Sequence, residues 1–192
     1  MITRIAIHAM PTLIHRFLHA VNTGDYVTFN RLLDDDRVNP SVNDNWAVRR
    51  AAENGNFRIV DDLLSDHRVD PTARRNEALR LAARNGHISV VRLLLQCSSV
   101  DPTAMNNWAL QYAALRGHVD VVEILLADPR VDPSAMNSSA LMLAVERGHY
   151  KVVKRLLADE RVDPLANDGE ALRIAIRQKH NKITRSLITS VL

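Results

Sequence analysis

The stretch HRVDPTARRNEALRLAARNGHISVVRLLLQC, residues 67–97, reads as turn, helix, turn, helix, and it decides the fold because the chain keeps repeating it. Asp70 before Pro71 suits a turn start, since proline fixes φ and the carboxylate can accept from nearby backbone amides. Asn76 has the chemistry of an N-cap, with Glu77 in the first turn where the helix dipole favours negative charge. Ala78, Leu79, Ala82 and Ala83 then form a narrow face of small side chains, which lets a neighbouring helix approach closely. Gly86 ends that helix by accepting a left-handed conformation. Ile88, Val90, Val91, Leu93, Leu94 and Leu95 give the second helix a broader apolar face. Each helix is too short to be stable in isolation, where roughly 12 residues are needed even for marginal helicity. Stability must come from stacking on the next copy.

Working outward, Pro40, Pro71, Pro102, Pro133 and Pro164 lie 31 residues apart, each preceded by Asn or Asp and, one residue earlier, by Val. Gly24, Gly55, Gly86, Gly117 and Gly148 keep the same register, as do Ala20, Ala51, Ala82, Ala113, Ala144 and Ala175. A fixed period of this length is the signature of a stacked repeat array. The expected organisation is a single domain over 1–192, with an N-terminal cap repeat 1–35, repeats 36–66, 67–97, 98–128 and 129–159, and a C-terminal cap repeat 160–192. Arg16 in the first unit, and Lys179 and Thr184 in the last, stand where the other copies carry alanine, glycine and an apolar residue, as terminal repeats need for solubility. Both ends therefore read as finished, with residues 1 to about 11 preceding the pattern and loosely held.

Composition agrees with this reading and excludes several others. Hydrophobic residues make up 46% and charged residues 24%, the balance of a folded soluble chain. Aromatics are scarce at 4%, and Ala, Leu and Val suit closely packed helices better than a sandwich of strands. The single cysteine, Cys97, excludes an intrachain disulfide framework and makes an intracellular setting, cytoplasmic or nuclear, the expectation. No apolar run is long enough for a bilayer span. Net charge is only +3, yet arginine outnumbers lysine 21 to 4, and all four lysines fall at position 151 or later.

The stretches ALRLAARNGHISVVRLLL, 78–95, and ALQYAALRGHVDVVEILL, 109–126, resemble the helix pair of ankyrin repeats. The resemblance covers roughly residues 13–190 through the recurring pattern A-x-x-G-H-x-x-V-V-x-x-L-L. It departs in two ways. The family period is about 33 residues rather than the spacing found here, and the family's Thr-Pro-Leu-His start is replaced by WAVR, EALR, WALQ, SALM and EALR. A shorter finger between repeats follows. The resemblance implies an all-α, ankyrin-like helical solenoid with short turns and no substantial sheet. It also implies a concave surface lined by turns and first helices, a role in binding proteins, and no enzymatic activity.

Regularly spaced His87, His118, His149 and His180 do not read as a metal site. Equivalent positions in stacked helices lie about 8 to 10 Å apart, whereas zinc ligands sit about 2 Å from the ion. A turn contact to backbone groups is the better reading, and Asn56 fills the same position in another copy. Polar residues are distributed by repeat position rather than gathered around a nucleophile, and five of the six glycines belong to the interhelical turn, so no phosphate loop can be built. No catalytic residue, cofactor or metal is expected. Cys97 aligns with Asp66, Asp128 and Asp159 and reads as an incidental thiol.

Positions that vary between copies are the ones that packing leaves free. One row carries Trp46, Glu77, Trp108, Ser139 and Glu170; the next carries Arg49, Arg80, Gln111, Met142 and Arg173; a third carries Glu53, Arg84, Leu115, Glu146 and Arg177. The finger adds Arg74 and Arg75, Met105 and Asn106, then Met136 and Asn137. The partner-binding set read from these rows is Trp46, Arg49, Arg74, Arg75, Glu77, Arg80, Arg84, Met105, Asn106, Trp108, Gln111, Leu115, Met136 and Met142. Arginine suits carboxylate or phosphate contacts, methionine an adaptable apolar surface and tryptophan an anchor. The expected function is a monomeric, non-catalytic scaffold binding a protein with acidic and apolar segments on its concave face. The alternative, nucleic-acid or other polyanion binding through the arginines of the first repeats, lacks a basic tail or an aromatic platform.

Overall fold

A computed structural model describes residues 12–191 of the chain. The expectation for residues 1–11 lies outside the described residues. Among the described residues there are twelve helices and no strand, arranged as six consecutive pairs. The pairs are α1 (Leu13–Thr23) with α2 (Tyr26–Leu33), α3 (Val42–Asn54) with α4 (Phe57–Ser65), and α5 (Ala73–Asn85) with α6 (Ile88–Gln96). They continue as α7 (Ala104–Arg116) with α8 (Val119–Ala127), α9 (Ala135–Glu146) with α10 (Tyr150–Leu157), and α11 (Ala166–Arg177) with α12 (Asn181–Ser190). Each first helix packs on its own second helix and on the first helices of the adjacent pairs, which gives the serial order that the period demands.

The core is one continuous band along the array, built from the apolar face of every helix. Its first-helix half is made of paired small residues: Ala51 and Ala52, Ala82 and Ala83, Ala113 and Ala114 are all fully buried. Small side chains let these helices pack extensively on one another, while the bulkier second helices touch their counterparts much less. The first helices are thus the closely packed row and the second helices the looser one, and the turns and first helices line the inner surface. At its C-terminal end the array leaves Ile176, Ile188 and Val191 59%, 44% and 41% exposed. The residue equivalent to Ile176 one copy earlier, Val145, is fully covered by the pair that follows it.

Three kinds of contact tie each copy to the last, and all are recurring. The imidazoles of His87, His118 and His149 meet the carbonyls of Glu53, Arg84 and Leu115 at 2.8, 3.0 and 3.0 Å, while Asn56 Nδ2 donates to Val21 O at 3.2 Å. These side chains lie on the glycine of the preceding turn. A Cβ on Gly55, at φ +75°, would stand 2.5 Å from His87 Nδ1, so both conformation and space require glycine there. In the last copy His180 Nε2 is buried without a partner. The second contact is an arginine staple. Arg68 grips Asp66 at 2.6 Å and donates to the carbonyls of Val38 and Leu33, both at 3.1 Å. Arg130 with Asp128 and Arg161 with Asp159 repeat it. These arginine hydrogen bonds hold the three carboxyls below the ordinary aspartate value, against a smaller opposing effect of burial. Cys97 and Ser99 occupy the corresponding positions of the third pair's exit, so that joint has no staple; Cys97 is half-buried and burial pushes its thiol up.

The third contact corrects the reading of Asn76. It is not an N-cap: it sits at φ 58° in a left-handed turn, and its Oδ1 accepts from the backbone of Asp101, in the next copy, at 2.9 Å. Asn45 and Asn107 make the same bond forward to Asp70 and Asp132 at 2.8 and 3.1 Å. Ser138, the next in the series, is too short for it, and its buried hydroxyl has no partner.

Candidate partner-binding surface

The shortened finger is a turn of left-handed helix. Asn43–Asn45, Arg74–Asn76, Met105–Asn107, Met136–Ser138 and Asn167–Gly169 all have φ between 54° and 71°. For L-residues this geometry costs about 1–2 kcal/mol each, least for Asn, Asp and Gly, which fill ten of these fifteen positions. Backbone bonds four residues long close the turns, from Asn45, Asn76, Asn107, Ser138 and Gly169 to Ser41, Thr72, Thr103, Ser134 and Leu165. Side chains of the following right-handed segment complete them. Arg49 donates to the carbonyls of Asp44 and Asn43 at 2.9 Å each, Arg80 to those of Arg75 and Arg74 at 3.1 and 3.0 Å, and Gln111 to that of Asn106 at 2.6 Å.

This changes the character of the expected arginine-rich end. Arg49 is only 7% exposed and its remaining nitrogen is ion-paired with Glu77, so both are held by the scaffold. Arg74 pairs with Asp44 at 3.1 Å, and Arg50 with Glu53 at 2.6 Å. The Nε of Arg84 is buried without a partner, whereas Arg75 is exposed. Trp46 is half-buried and packs against the core. Of these guanidinium groups Arg49 is enclosed and Arg50 and Arg74 are paired with neighbouring carboxylates at the surface, so they are not presented together as free cations.

The middle copies bring other residues together. Trp108 on α7 stacks on Tyr112 one turn later, ring centroids 3.7 Å apart, and the Arg80 guanidinium of the preceding copy lies over the indole at 5.0 Å. Burial draws Arg80 below the ordinary arginine value, yet a guanidinium stays charged at any ordinary pH. Trp108, Tyr112, Gln111 and Leu115 are half-exposed on this inner surface, and Met142 of the next copy packs partly into the core. Beside them the finger tips carry Met105 and Met136, 44% and 61% exposed, with Asn106 exposed between copies. Leu165, 54% exposed, opens the turn of the last copy where Ser41, Thr72, Thr103 and Ser134 stand in the others. Tyr112 and Leu165 escaped the sequence reading. The signal for each was present, an aromatic ring among Arg50, Leu81, Leu143 and Ile174, and a leucine in a row of hydroxyls.

Among the described residues no cluster of His, Cys, Asp or Glu is arranged to hold a metal ion, and no helix is long and apolar enough to cross a membrane. The fold and this surface define a stacked helical repeat array that carries residues differing between copies on a recurring scaffold. Comparison with known proteins gives the family. Family models for ankyrin repeats match residues 17–106 and 48–137 as three-copy units and residues 136–169 as a single repeat, so the chain belongs to the ankyrin repeat family. An ankyrin repeat domain from Acinetobacter baumannii AYE superimposes with a TM-score of 0.75 at 22% identity, over 91% of this chain and 96% of that one. EF0377, an ankyrin repeat protein, gives 0.75 at 23% identity, over 92% and 97%. No curated protein matches the sequence.

Proposed function

We propose that the chain is a non-catalytic protein-binding scaffold, consistent with the general role of ankyrin repeats, and that its partner docks on the inner surface of the middle copies. The observation that carries this reading is the half-exposed Arg80–Trp108–Tyr112 stack flanked by Met105 and Met136. Methionine gains nothing for the scaffold at a left-handed, solvent-facing position where asparagine is less strained, so its presence at two successive tips points to use by a partner. Aromatic and arginine anchors surrounded by adaptable apolar contacts are the usual make-up of a binding hot spot. The working set is therefore Arg80, Met105, Asn106, Trp108, Gln111, Leu115, Met136 and Met142, joined by Tyr112 and Leu165. Trp46, Arg49 and Glu77 drop to a supporting role, and Arg74, Arg75 and Arg84 form its rim. The array acts as a monomer, with its first and last helix pairs serving as caps.

The test is selection of peptide binders from a displayed library against the intact protein, followed by titration against Trp108→Ala and Met136→Ala. Binders selected on the wild type should lose about tenfold or more in affinity on Trp108→Ala with the circular dichroism unchanged. If replacing both Trp108 and Arg80 left every selected affinity intact, the surface would be misassigned.

A further inference from the structure

The outer side of the array carries grooves at three of the junctions between successive second helices, and their charge differs along the molecule. Between α2 and α4 the groove is mainly acidic, with Asp34, Asp36, Asp62 and Asp66 beside Arg68 and His67. Between α6 and α8 it is mixed, with Arg92 opposite Asp120, Glu123 and Asp128. Between α10 and α12 it is cationic: Lys154, Lys182 and Arg185 line a hollow of about 600 Å³ with no carboxylate among the lining residues. The grooves recur at equivalent places in the repeat but differ in charge, so the sign at this end is a property of these residues.

We propose that the α10–α12 groove docks an acidic segment of a partner protein, on the face opposite the surface described above. Three observations support that occupant. Among the described residues none of the three cations makes an ion pair, although neighbouring Arg155 is paired with Glu123 at 3.6 Å and Arg161 with Asp159 at 2.8 Å. Clustered like charges left uncompensated raise the local potential and favour carboxylates that enter. The cations are placed by helical spacing, Lys182 and Arg185 one turn apart on α12 and facing Lys154 on α10. Finally, the hollow is not purely polar: Leu157 and Ala158 contribute apolar wall beside Ser186 and Thr189, which suits a peptide carrying an aliphatic residue among its acids. A nucleic acid is served less well, because its affinity grows with the number of phosphates neutralised and the groove offers only three cations and no aromatic side chain beyond Tyr150 for a base to stack on. Two of the chain's four lysines line this groove and the other two, Lys151 and Lys179, are exposed on or beside the same helices, whereas the arginines elsewhere are repeatedly used to brace carbonyls. Lysine offers no bidentate fork for bracing, and is a mobile point charge suited to an external anion.

The probe is a short fluorescein-labelled peptide of consecutive glutamates with one central leucine, titrated by anisotropy into the intact protein at low salt. Binding should weaken steeply as salt rises, and by about tenfold in the double variant Lys182→Glu, Arg185→Glu. The neutral pair Lys182→Gln, Arg185→Gln should weaken it less, and supplies the result if charge reversal disturbs folding. Trp108→Ala should leave this binding unchanged, which separates failure of the groove from failure of the inner surface. Equal affinity for the charge-reversed chain, equal affinity of a peptide with glutamine in place of glutamate, or tighter binding of a single-stranded oligonucleotide of matched charge would each overturn the assignment.

Discussion

Replacing Asn76 separates two contributions that the left-handed turn combines. Its side chain is 7% exposed, its backbone sits at φ 58° and ψ 41°, and its Oδ1 accepts the Asp101 N–H at 2.9 Å. Asn76→Ala removes the bond, leaving a partly buried donor unsatisfied at a cost of about 1–1.5 kcal/mol. It also puts a residue that resists the left-handed region where asparagine tolerated it, at about 1 kcal/mol more. The expected loss is about 2–2.5 kcal/mol. Asn76→Gly loses the same bond but relieves the backbone, so it should recover about 1 kcal/mol relative to alanine despite glycine's greater freedom when unfolded. Urea denaturation followed by far-ultraviolet circular dichroism reads both, given an unchanged m value. Equal stability of the alanine and glycine variants would refute the conformational part of this reasoning, and a wild-type midpoint in both would refute all of it.

Ser138→Asn should complete the series of forward hydrogen bonds, since the Asp163 N–H has no side-chain acceptor while Asp70, Asp101 and Asp132 each have one; a gain of about 1 kcal/mol in the same denaturation assay is expected. Gly86→Ala should cost about 2–3 kcal/mol, because a Cβ at φ +78° would stand 2.7 Å from His118 Nδ1 and force that ring off the Arg84 carbonyl; a loss under about 0.5 kcal/mol would show that the turn yields easily. The carboxyls of Asp66, Asp128 and Asp159 titrate below their unfolded value, and Asp35 beside Arg37 is held down to about 2. Their stabilisation is therefore fully present above about pH 4 and is lost as pH falls through the folded values. Thermal midpoints should decline between about pH 4 and pH 2, and Asp128→Asn should flatten that decline.

The period and the pairing of short helices were legible because each copy states them again in residues with strong local preferences: Pro71 and its equivalents at the turn, Gly86 and its equivalents at the helix exit, the alanine pairs on the first helices. Register also argued that no two of the histidines can share an ion across the stack, and in the fold His87, His118 and His149 meet backbone carbonyls of the preceding copy while His180 does not. The surface was legible only in part. Trp108, Met105 and Met136 stood out because they break the repeat without serving it. Arg49 and Arg80 looked equally free, yet Arg49 is enclosed and Arg80 lies over a ring supplied by the next copy.

What the sequence by itself determined is the serial array of helix pairs, since a hairpin with one oily side can be sheltered only by its like. What the tertiary structure decided is how each finger turns and where each polar side chain is committed. Left-handed residues such as Arg74, Arg75 and Met105 sit in turns whose backbone groups are satisfied in part by arginine, glutamine and asparagine side chains of the same and the preceding copy. Those partners are main-chain carbonyls and amides, present at every residue. No pattern of side-chain letters announces which of them will come within reach until the chain has folded.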